Sequence, residues 1–187
     1  MIGLKRGTVR LCDHDPAWEL EAARTMDELK NLLGDAVQAI AHVGSTSVST
    51  IKAKPIIDIA LAVKTLSDIY PYAEVLQAHG YYIRPNALEG QILLACGSFY
   101  EGTGEEQTHF IHVVETDSAQ WREYLLFRDY LRAFPWIAKE YEALKLALAA
   151  KVPVDHGREQ YLAGKHDFIE ETLRQAKDNG RKDEKHG

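Results

Sequence analysis

The alternation of apolar and polar residues predicts helices at the two ends of the chain and strands between them. Apolar residues recur at helical spacing over residues 15–33, which begin with an Asp-Pro pair typical of helix starts and are followed by the helix-ending Gly34. Two strands follow in the segments AVQAIAHV (36–43) and PIIDIALAV (55–63), where apolar residues are nearly continuous. This order of elements is typical of a domain that mixes helices and strands around one core.

The middle of the chain predicts a second helix and three more strands. The helix spans SDIYPYAEVLQAHG, with Ser67 as its N-cap and Gly80 as its end. β-branched and aromatic residues predict strands in the segments YYIR, QILLACGSFY and THFIHVVE. Turns or bulges among these strands are expected at four glycines, Gly90, Gly97, Gly102 and Gly104.

From Ser118 the composition changes to helix-forming residues, which predict three helices in succession. Their segments are SAQWREYLLFRDYLRAF, PWIAKEYEALKLALAAK and GREQYLAGKHDFIEETLRQAK. The last residues are charged and have no apolar anchors, so a frayed tail is expected there. We therefore divide the chain into an α/β core (residues 1–117), a C-terminal helical portion of the same domain (118–177) and a disordered tail (178–187).

The strand at 55–63 contains one carboxylate, Asp58, in an otherwise apolar run. Burying an unpaired carboxylate is costly, so Asp58 needs a metal ion, a cation or several hydrogen-bond donors as partners. Upstream, the turn GSTS (44–47) can present backbone N–H groups and hydroxyls to an anion. Turn and carboxylate together predict a site for phosphate and a metal ion. A structural carboxylate bound by the backbone or by Lys54 is the alternative.

Bulk composition narrows the class of ligand. The 187 residues have a formal net charge of −6, which argues against a general nucleic-acid or anionic-membrane binder and favours a small-molecule ligand. No apolar run approaches membrane-spanning length. The two cysteines, Cys12 and Cys96, have neither the number nor the spacing of a disulfide scaffold. We therefore expect reduced thiols and a cytoplasmic protein.

Several segments together resemble one protein family. The segments HVGSTSVSTIKAKPIID, HFIHVV, LLFRDYLRAFPWIAKEYEALKLALA and YLAGKHDFI are similar to the GrpB family, and the similarity extends from Asp15 to about Ala176. The resemblance implies the fold of a minimal nucleotidyltransferase of the DNA polymerase beta superfamily. We therefore expect an α+β domain with a mixed sheet of about four or five strands and C-terminal helices.

The resemblance also implies roles for individual residues. In the superfamily, a Gly-Ser turn holds a nucleoside triphosphate, and carboxylates at alternate positions of the next strand hold divalent metal ions, which we expect to be Mg²⁺. Gly44 and Ser45, followed by Thr46, match the turn, and Asp58 matches the first carboxylate. The next position on the same strand face is Ala60 instead of a second carboxylate.

A third carboxylate of the superfamily, on a later strand, has no clear counterpart in THFIHVVE, where His109 and His112 are three positions apart. Residues i and i+3 of a strand point to opposite faces, so at most one of these histidines faces the site. We choose His112 as a metal ligand, and a buried structural histidine is the alternative. Lys54 adjoins the strand of Asp58 and is expected to bind phosphate.

Basic residues recur on the predicted C-terminal helices at i, i+4 spacing, which places each pair on one helical face. The pairs are Arg128 with Arg132, Tyr141 with Lys145, and Tyr161 with Lys165. Such basic residues either extend over the surface beside acidic neighbours or form a cationic wall over the phosphates. The resemblance favours Arg128 and Lys145 as phosphate-binding residues.

The leading functional hypothesis is a Mg²⁺-dependent nucleotide-binding protein, a minimal nucleotidyltransferase that transfers a nucleotidyl group to a small acceptor with Asp58 as its catalytic residue. The alternative is a non-catalytic nucleotide- or phosphate-binding module, or an interaction module, on a degraded nucleotidyltransferase fold. Ala60 supports the alternative, because a two-metal site needs several oxygen ligands.

Overall fold

A computed structural model describes residues 1–98 and 106–183 of the chain. Six strands of these residues form one mixed sheet. Their bounds are β1 Leu4–Lys5, β2 Ala39–Val43, β3 Ile57–Val63, β4 Tyr81–Leu88, β5 Gln91–Ser98 and β6 Glu106–Glu115. The order is β2-β3-β6-β5-β4, with β1 paired to the first residues of β6. β3 and β6 are parallel, whereas β2–β3, β4–β5 and β5–β6 are antiparallel.

The helices lie before, between and after these strands. Their bounds are α1 Ala17–Leu33, α2 Ala73–Ala78, α3 Ala119–Ala133, α4 Pro135–Lys151, α5 Arg158–Ala163 and α6 His166–Asp183. Short 3₁₀ turns occupy Gly34–Ala36, Ser45–Ser47 and Leu66–Tyr72. This α+β architecture confirms the predicted fold class, with one short strand more than the sequence indicated. No helix in the described ranges is at once long and apolar enough to cross a membrane.

The main core lies between one face of the sheet and helices α1 and α2. Alternate residues of β3 are fully buried in it, namely Ile57, Ile59, Leu61 and Val63. They pack in one cluster with Trp18, Ala22, Leu29 and Leu33 of α1 and with Leu76 of α2. Because side chains alternate along a strand, this packing turns Asp58 and Ala60 toward the opposite face of the sheet.

Helix boundaries differ from the sequence prediction at two places. The second predicted helix begins as a 3₁₀ turn whose N-cap is Thr65 instead of Ser67, because Thr65 and Asp68 form a reciprocal capping box. The third C-terminal helix is divided into α5 and α6 between Ala163 and His166, where a Cβ on Gly164 would meet the end of the Leu148 side chain. The C-terminal portion therefore has four described helices, not three.

The predictions for the tail and for the glycine turns agree with the structure to different extents. Helix α6 continues to Asp183, so residues 178–183, which were predicted to belong to the tail, are helical. A hydrogen bond from Asn179 to the Tyr130 hydroxyl (3.1 Å) attaches this part of the helix to α3. Gly90 lies at a tight turn with φ of 70°, and Gly97 lies at a shift in register between β5 and β6. Residues 99–105, which include the turns predicted at two glycines, and residues 184–187 lie outside the described part of the chain.

The turn between β2 and β3 brings Gly44 against Asp58. Gly44 has φ of 68°, in the left-handed region that side chains disfavour. A Cβ on Gly44 would lie 2.6 Å from Oδ2 of Asp58, well inside van der Waals contact. The hydroxyl of Ser47 donates a hydrogen bond to the Gly44 carbonyl (2.7 Å) and closes the turn. Glycine at position 44 therefore allows the carboxylate to lie directly against the turn.

We expect Gly44→Ala to destabilise the protein through both backbone strain and collision with Asp58. Gly34→Ala is a matched control, because Gly34 also has a positive φ (51°) but no heavy atom near the position of its Cβ. The strain alone costs about 1–2 kcal/mol, and the collision adds about 1–3 kcal/mol. Urea denaturation measures both losses. Equal losses in the two variants would mean that the contact with Asp58 adds no constraint.

Candidate functional site

Asp58 projects into a cleft of about 680 Å³ between the sheet and the C-terminal helices. The floor is formed by the Gly44 turn, β3, β5 and β6, and the walls by helices α3 to α6. β2 and β3 pair with Val43 opposite Asp58, so the residue after Val43 lies beside the carboxylate. The predicted turn and the predicted strand carboxylate are thus adjacent in the folded chain.

The charge of Asp58 is maintained by its neighbours. Burial acts to raise the pKa of this carboxyl group, but His112, Lys54 and Lys165 outweigh burial and hold the pKa below its usual range. The side chain remains 31% exposed, so the carboxylate is accessible from the cleft. Asp58 is therefore ionised at neutral pH and available to a cation.

His112 contacts Asp58 from the neighbouring strand β6. Its Nε2 atom lies 3.4 Å from Oδ1 of Asp58. Its Nδ1 atom lies 3.0 Å from the hydroxyl of Tyr124 on α3, and the two rings pack with their centroids 4.9 Å apart. The Tyr124 hydroxyl donates a hydrogen bond to Oε1 of Gln91 (2.8 Å). A chain of hydrogen bonds thus leads from Asp58 across the cleft floor to β5.

His109 lies on the other face of the sheet, as the spacing of the two histidines predicts. It is buried, with its Nε2 atom 3.2 Å from the Thr25 hydroxyl and 3.4 Å from a carboxylate oxygen of Glu21, both on α1. Burial lowers the pKa of His109. This histidine therefore belongs to the polar contacts between α1 and the sheet, not to the cleft.

Three basic residues line the cleft: Lys54, Arg158 and Lys165. The ammonium groups of Lys54 and Lys165 lie 5.4 and 4.8 Å from the centre of the Tyr161 ring. The guanidinium carbon of Arg158 lies 4.8 Å from the centre of the Phe110 ring, and its Nη1 donates to Gln107 (2.8 Å). Aromatic faces attract cations, so these rings hold the three charges near Asp58.

These basic residues repel one another and are poorly solvated. Burial, followed by the nearby charges of Lys165 and Arg158, lowers the pKa of Lys54 from 10.5 to about 7. Burial likewise lowers the pKa of Lys165 to about 8, although Asp58 acts in the opposite direction. Burial also lowers the pKa of Arg158. Three basic groups therefore lie together near Asp58, and the other two carboxylates of the cleft lining, Glu123 and Glu170, lie on α3 and α6.

The hydroxyls of the turn already have protein partners. Thr46 is buried, and its hydroxyl lies 3.0 Å from Nε2 of His42, whose pKa burial lowers to about 4. The side chain of Ser45 hydrogen-bonds to that of Tyr141, and burial raises the pKa of this tyrosine. Gly44, Ser45 and Thr46 all border the cleft. The backbone of the turn, more than its hydroxyls, is thus available to an anion.

The other predicted basic residues brace the turn and the following loop from outside the cleft lining. Arg128 donates to the carbonyl of His42 (3.1 Å) and pairs with Asp129 (2.7 Å), and Arg132 donates twice to the carbonyl of Ser47. Lys145 is buried and donates to the carbonyl of Lys52. Arg128 and Lys145 were predicted to bind phosphate, and the structure places both against backbone carbonyls.

Sequence reasoning selected Lys54 but not Arg158, Lys165 or Tyr124. The i, i+4 spacing of Tyr161 and Lys165 was a possible indication for Lys165. Tyr141 and Lys145 have the same spacing, however, and Lys145 does not line the cleft. Lys165 lies at the break between α5 and α6 and lines the cleft. Tyr124 had no signal beyond its place on an amphipathic helix. Among the described residues, no group of three or more His, Cys, Asp or Glu side chains is arranged to hold a metal ion.

The depressed pKa of Lys54 makes stability depend on pH. Unfolding returns this pKa from about 7 to 10.5, so the unfolded chain binds more protons than the folded protein between these pH values. Stability contributed by this group is therefore lowest near pH 7 and rises toward pH 10.5. We expect Lys54→Met to be more stable than the wild type at pH 7, and the difference to shrink as the pH rises.

Urea denaturation over this pH range measures the effect. Lys30→Met is the control, because Lys30 is exposed and pairs with Asp27 (3.3 Å) on the surface of α1. The control should change stability by less than about 0.5 kcal/mol at any pH. A Lys54→Met protein that is less stable than the wild type at pH 7 would contradict the assignment of an uncompensated charge.

Comparisons with known proteins agree on the family of this chain. Residues 8–175 match the family model described as GrpB protein. The glutamate-rich protein GrpB of Alkalihalophilus pseudofirmus is 37% identical over 175 residues, which cover 92% of this chain and 98% of that protein. The crystal structure of the conserved protein GrpB from Enterococcus faecalis has a TM-score of 0.75 and 30% identity, and the match covers 89% of this chain and 96% of that one.

A more distant similarity concerns the fold alone. A crystal structure of the Cid1 poly(U) polymerase with MgGTP bound has a TM-score of 0.50 and 13% identity, over 72% of this chain and 42% of that one. This similarity confirms the nucleotidyltransferase-like fold that the sequence predicted. On the evidence of the family model and of relatives that match over nearly their whole length, the chain belongs to the GrpB family.

Proposed function

We propose that the cleft binds a nucleoside triphosphate or a similar polyphosphate together with one divalent metal ion. The observation that carries this proposal is the convergence of Lys54, Arg158 and Lys165 on the Gly44 turn and Asp58 in one cleft. Three basic groups that lie close together beside Asp58 would be stabilised by an anion with more than one negative charge. A triphosphate is such an anion, and the turn supplies backbone N–H groups for it.

Asp58 and His112 are the residues that would hold the metal ion. Their Oδ1 and Nε2 atoms are 3.4 Å apart, and both border the cleft. Two protein ligands leave most of the coordination shell to phosphate oxygens and water, which is common for ions that bind with nucleotides. When bound, such an ion would offset phosphate charge and polarise a phosphoryl oxygen. Mg²⁺ is the ion that the superfamily resemblance implies.

A small acceptor fits the cleft better than a nucleic acid does. The three cleft cations face inward, and the whole chain has a net charge of −6, so no extended basic surface is implied for a polynucleotide backbone. With the nucleotide held by the basic residues, the acceptor would lie toward the polar residues on α3 that also border the cleft, Gln120 and Glu123. The proposed reaction is transfer of a nucleotidyl group to such an acceptor.

A second function, nucleotide binding without chemistry, is favoured by one observation. Ala60 lies two residues after Asp58 on the same face of β3 and is fully buried, so the face has one carboxylate where a two-ion site needs several oxygen ligands. In this case the protein would bind a metal–nucleotide complex and act as a sensor or interaction module. Both functions share the ligand and differ in the chemistry.

Calorimetric titration of a non-hydrolysable triphosphate panel, with and without Mg²⁺, tests the shared part. We expect Asp58→Asn to abolish the metal-dependent gain in affinity, and Lys165→Met to weaken binding about 10–100-fold with or without metal, because a charged hydrogen bond is lost. Lys30→Met, on α1 outside the cleft lining, should bind like the wild type. The proposal fails if no triphosphate binds the wild type under any of these conditions.

Ala60→Asp separates the two functions. The new carboxylate would lie on the same strand face as Asp58 and beside His112, its partner in the β3–β6 register. If the site is a transferase site that lacks one ligand, Ala60→Asp should raise the metal-dependent affinity for the triphosphate by about tenfold or more. Ala60→Asn is the isosteric control without the charge. An unchanged affinity in the aspartate variant would count against this placement of the metal.

A further inference from the structure

Backbone hydrogen bonds hold the main chain on both sides of Lys54. Directly before it, Cys12 and Ala53 exchange both of their backbone hydrogen bonds (2.9 and 3.0 Å). Directly after it, the carbonyl of Pro55 accepts a hydrogen bond from the N–H of Gly3 (2.7 Å). The loop that contains Lys54 is therefore fixed before and after this residue by one earlier stretch of the chain.

The same stretch reaches Arg158 through strand β6. Leu4 of β1 lies opposite Gln107 of β6, and the buried Gln107 side chain accepts a hydrogen bond from Nη1 of Arg158 (2.8 Å). Leu4 also packs in one buried cluster with Phe110, whose ring centre lies 4.8 Å from the guanidinium carbon. Both side chains that contact Arg158 on β6 are thus neighbours of β1.

A further contact fixes the loop before α5, the helix that begins at Arg158. The N–H of Val9 donates a hydrogen bond to the carbonyl of Val154 in this loop (2.7 Å). Gly7 has φ of 88°, and a Cβ on it would lie 2.6 Å from the carbonyl oxygen of Asp155. Because glycine has no Cβ, the two backbones can lie this close. The main chain at Gly7 and Val9 therefore sets the position of the loop.

These contacts connect two basic residues that enter the cleft from separate loops. Lys54 precedes β3 and Arg158 begins α5, so the spacing of their charges is set by tertiary contacts. Residues 3–12 contact both loops, whereas the first residue of the described chain that lines the cleft is Val43. Charged hydrogen bonds to phosphate depend on distance and angle. Residues 3–12 can thus determine the geometry of a phosphate site without touching the ligand.

We propose that residues 3–12 form a positioning segment that sets the spacing between Lys54 and Arg158, with the close approach of Gly7 to Asp155 fixing Arg158. This inference rests on the proposed function, because the spacing matters for a ligand that both charges bind. Binding groups need support from the residues that pack behind them to hold a productive geometry. Loss of the Gly7 contact misplaces one cation while the number of charges in the cleft stays the same.

The first test needs no ligand. Nitrogen-15 NMR of the arginine side chains reports the surroundings of the Arg158 Nε–H, whose signal is identified by its absence in Arg158→Met. We expect Gly7→Ala to shift this signal. Gly80→Ala is the matched control, because Gly80 has a similar φ (82°) but no heavy atom near the position of its Cβ. The control has the same kind of backbone strain and should leave the Arg158 signal unchanged.

The second test is calorimetric titration of a non-hydrolysable triphosphate. We expect Gly7→Ala to lower the affinity about 3–30-fold with or without Mg²⁺, because a misplaced cation loses part of a charged hydrogen bond. Gly80→Ala should bind like the wild type. The loss should disappear when Arg158 is already replaced by Met, and it should persist in a Lys165→Met protein. A general loosening of the fold would lower the affinity in both backgrounds.

Val9→Ala is a milder second variant of the same contact. It keeps the backbone hydrogen bond to Val154 and removes two methyl groups from a buried side chain. If urea denaturation shows that Gly7→Ala does not fold, Val9→Ala takes its place in both tests. We expect a smaller loss of affinity with the same dependence on Arg158.

The outcomes separate this inference from the proposed function. The inference is overturned, and the proposed function stands, if the variant binds the triphosphate like Gly80→Ala or loses equal affinity with and without Arg158. If no triphosphate binds the wild type, the proposed function fails. The Arg158 signal then decides alone: a shift in the variant supports the positioning segment, and an unchanged signal overturns it.

Discussion

The contact between the Asp58 carboxylate and the backbone of Gly44 is the constraint on which the site depends. Burial of the odd-numbered residues of β3 against α1 fixes the direction of Asp58, and the antiparallel register with β2 brings Gly44 beside it. A Cβ at residue 44 would overlap the carboxylate. The hydrophobic core on one face of the sheet therefore determines where the charge lies on the other face, and glycine at position 44 lets the turn lie against it.

The basic residues around the cleft differ in their hydrogen-bond partners. Arg132 and Lys145 are matched to backbone carbonyls and hold the loops in place. Lys145 also faces the Tyr141 ring, as Lys54 and Lys165 face the Tyr161 ring, and burial lowers the pKa of all three lysines. Buried charges of this kind destabilise the empty protein, which is common where a site is arranged for its ligand and not for stability. A bound anion would restore the charge balance, so the same residues would favour the liganded state.

The sequence was sufficient for residues whose position follows from local pattern. The apolar run around Asp58 predicted a strand and its exceptional carboxylate, and the alternation of side chains correctly assigned His109 and His112 to opposite faces. It was insufficient where position depends on the path of the chain in space. Arg128 and Lys165 have equivalent helical spacing with a neighbour, yet Arg128, within α3, reaches a backbone carbonyl, whereas Lys165, at the break between α5 and α6, lines the cleft.

The cleft has an imidazole on β6 and no second carboxylate on β3, and this difference limits its chemistry. The parallel register of β3 and β6 pairs Ala60 with His112, so the imidazole lies beside the position where a second strand carboxylate would be. Ala60 is fully buried at this position. One carboxylate and one imidazole can organise a single ion, but not two ions that share oxygen ligands. Any transfer chemistry in this cleft must therefore obtain most of its charge stabilisation from the basic residues on the C-terminal helices and the loop before β3.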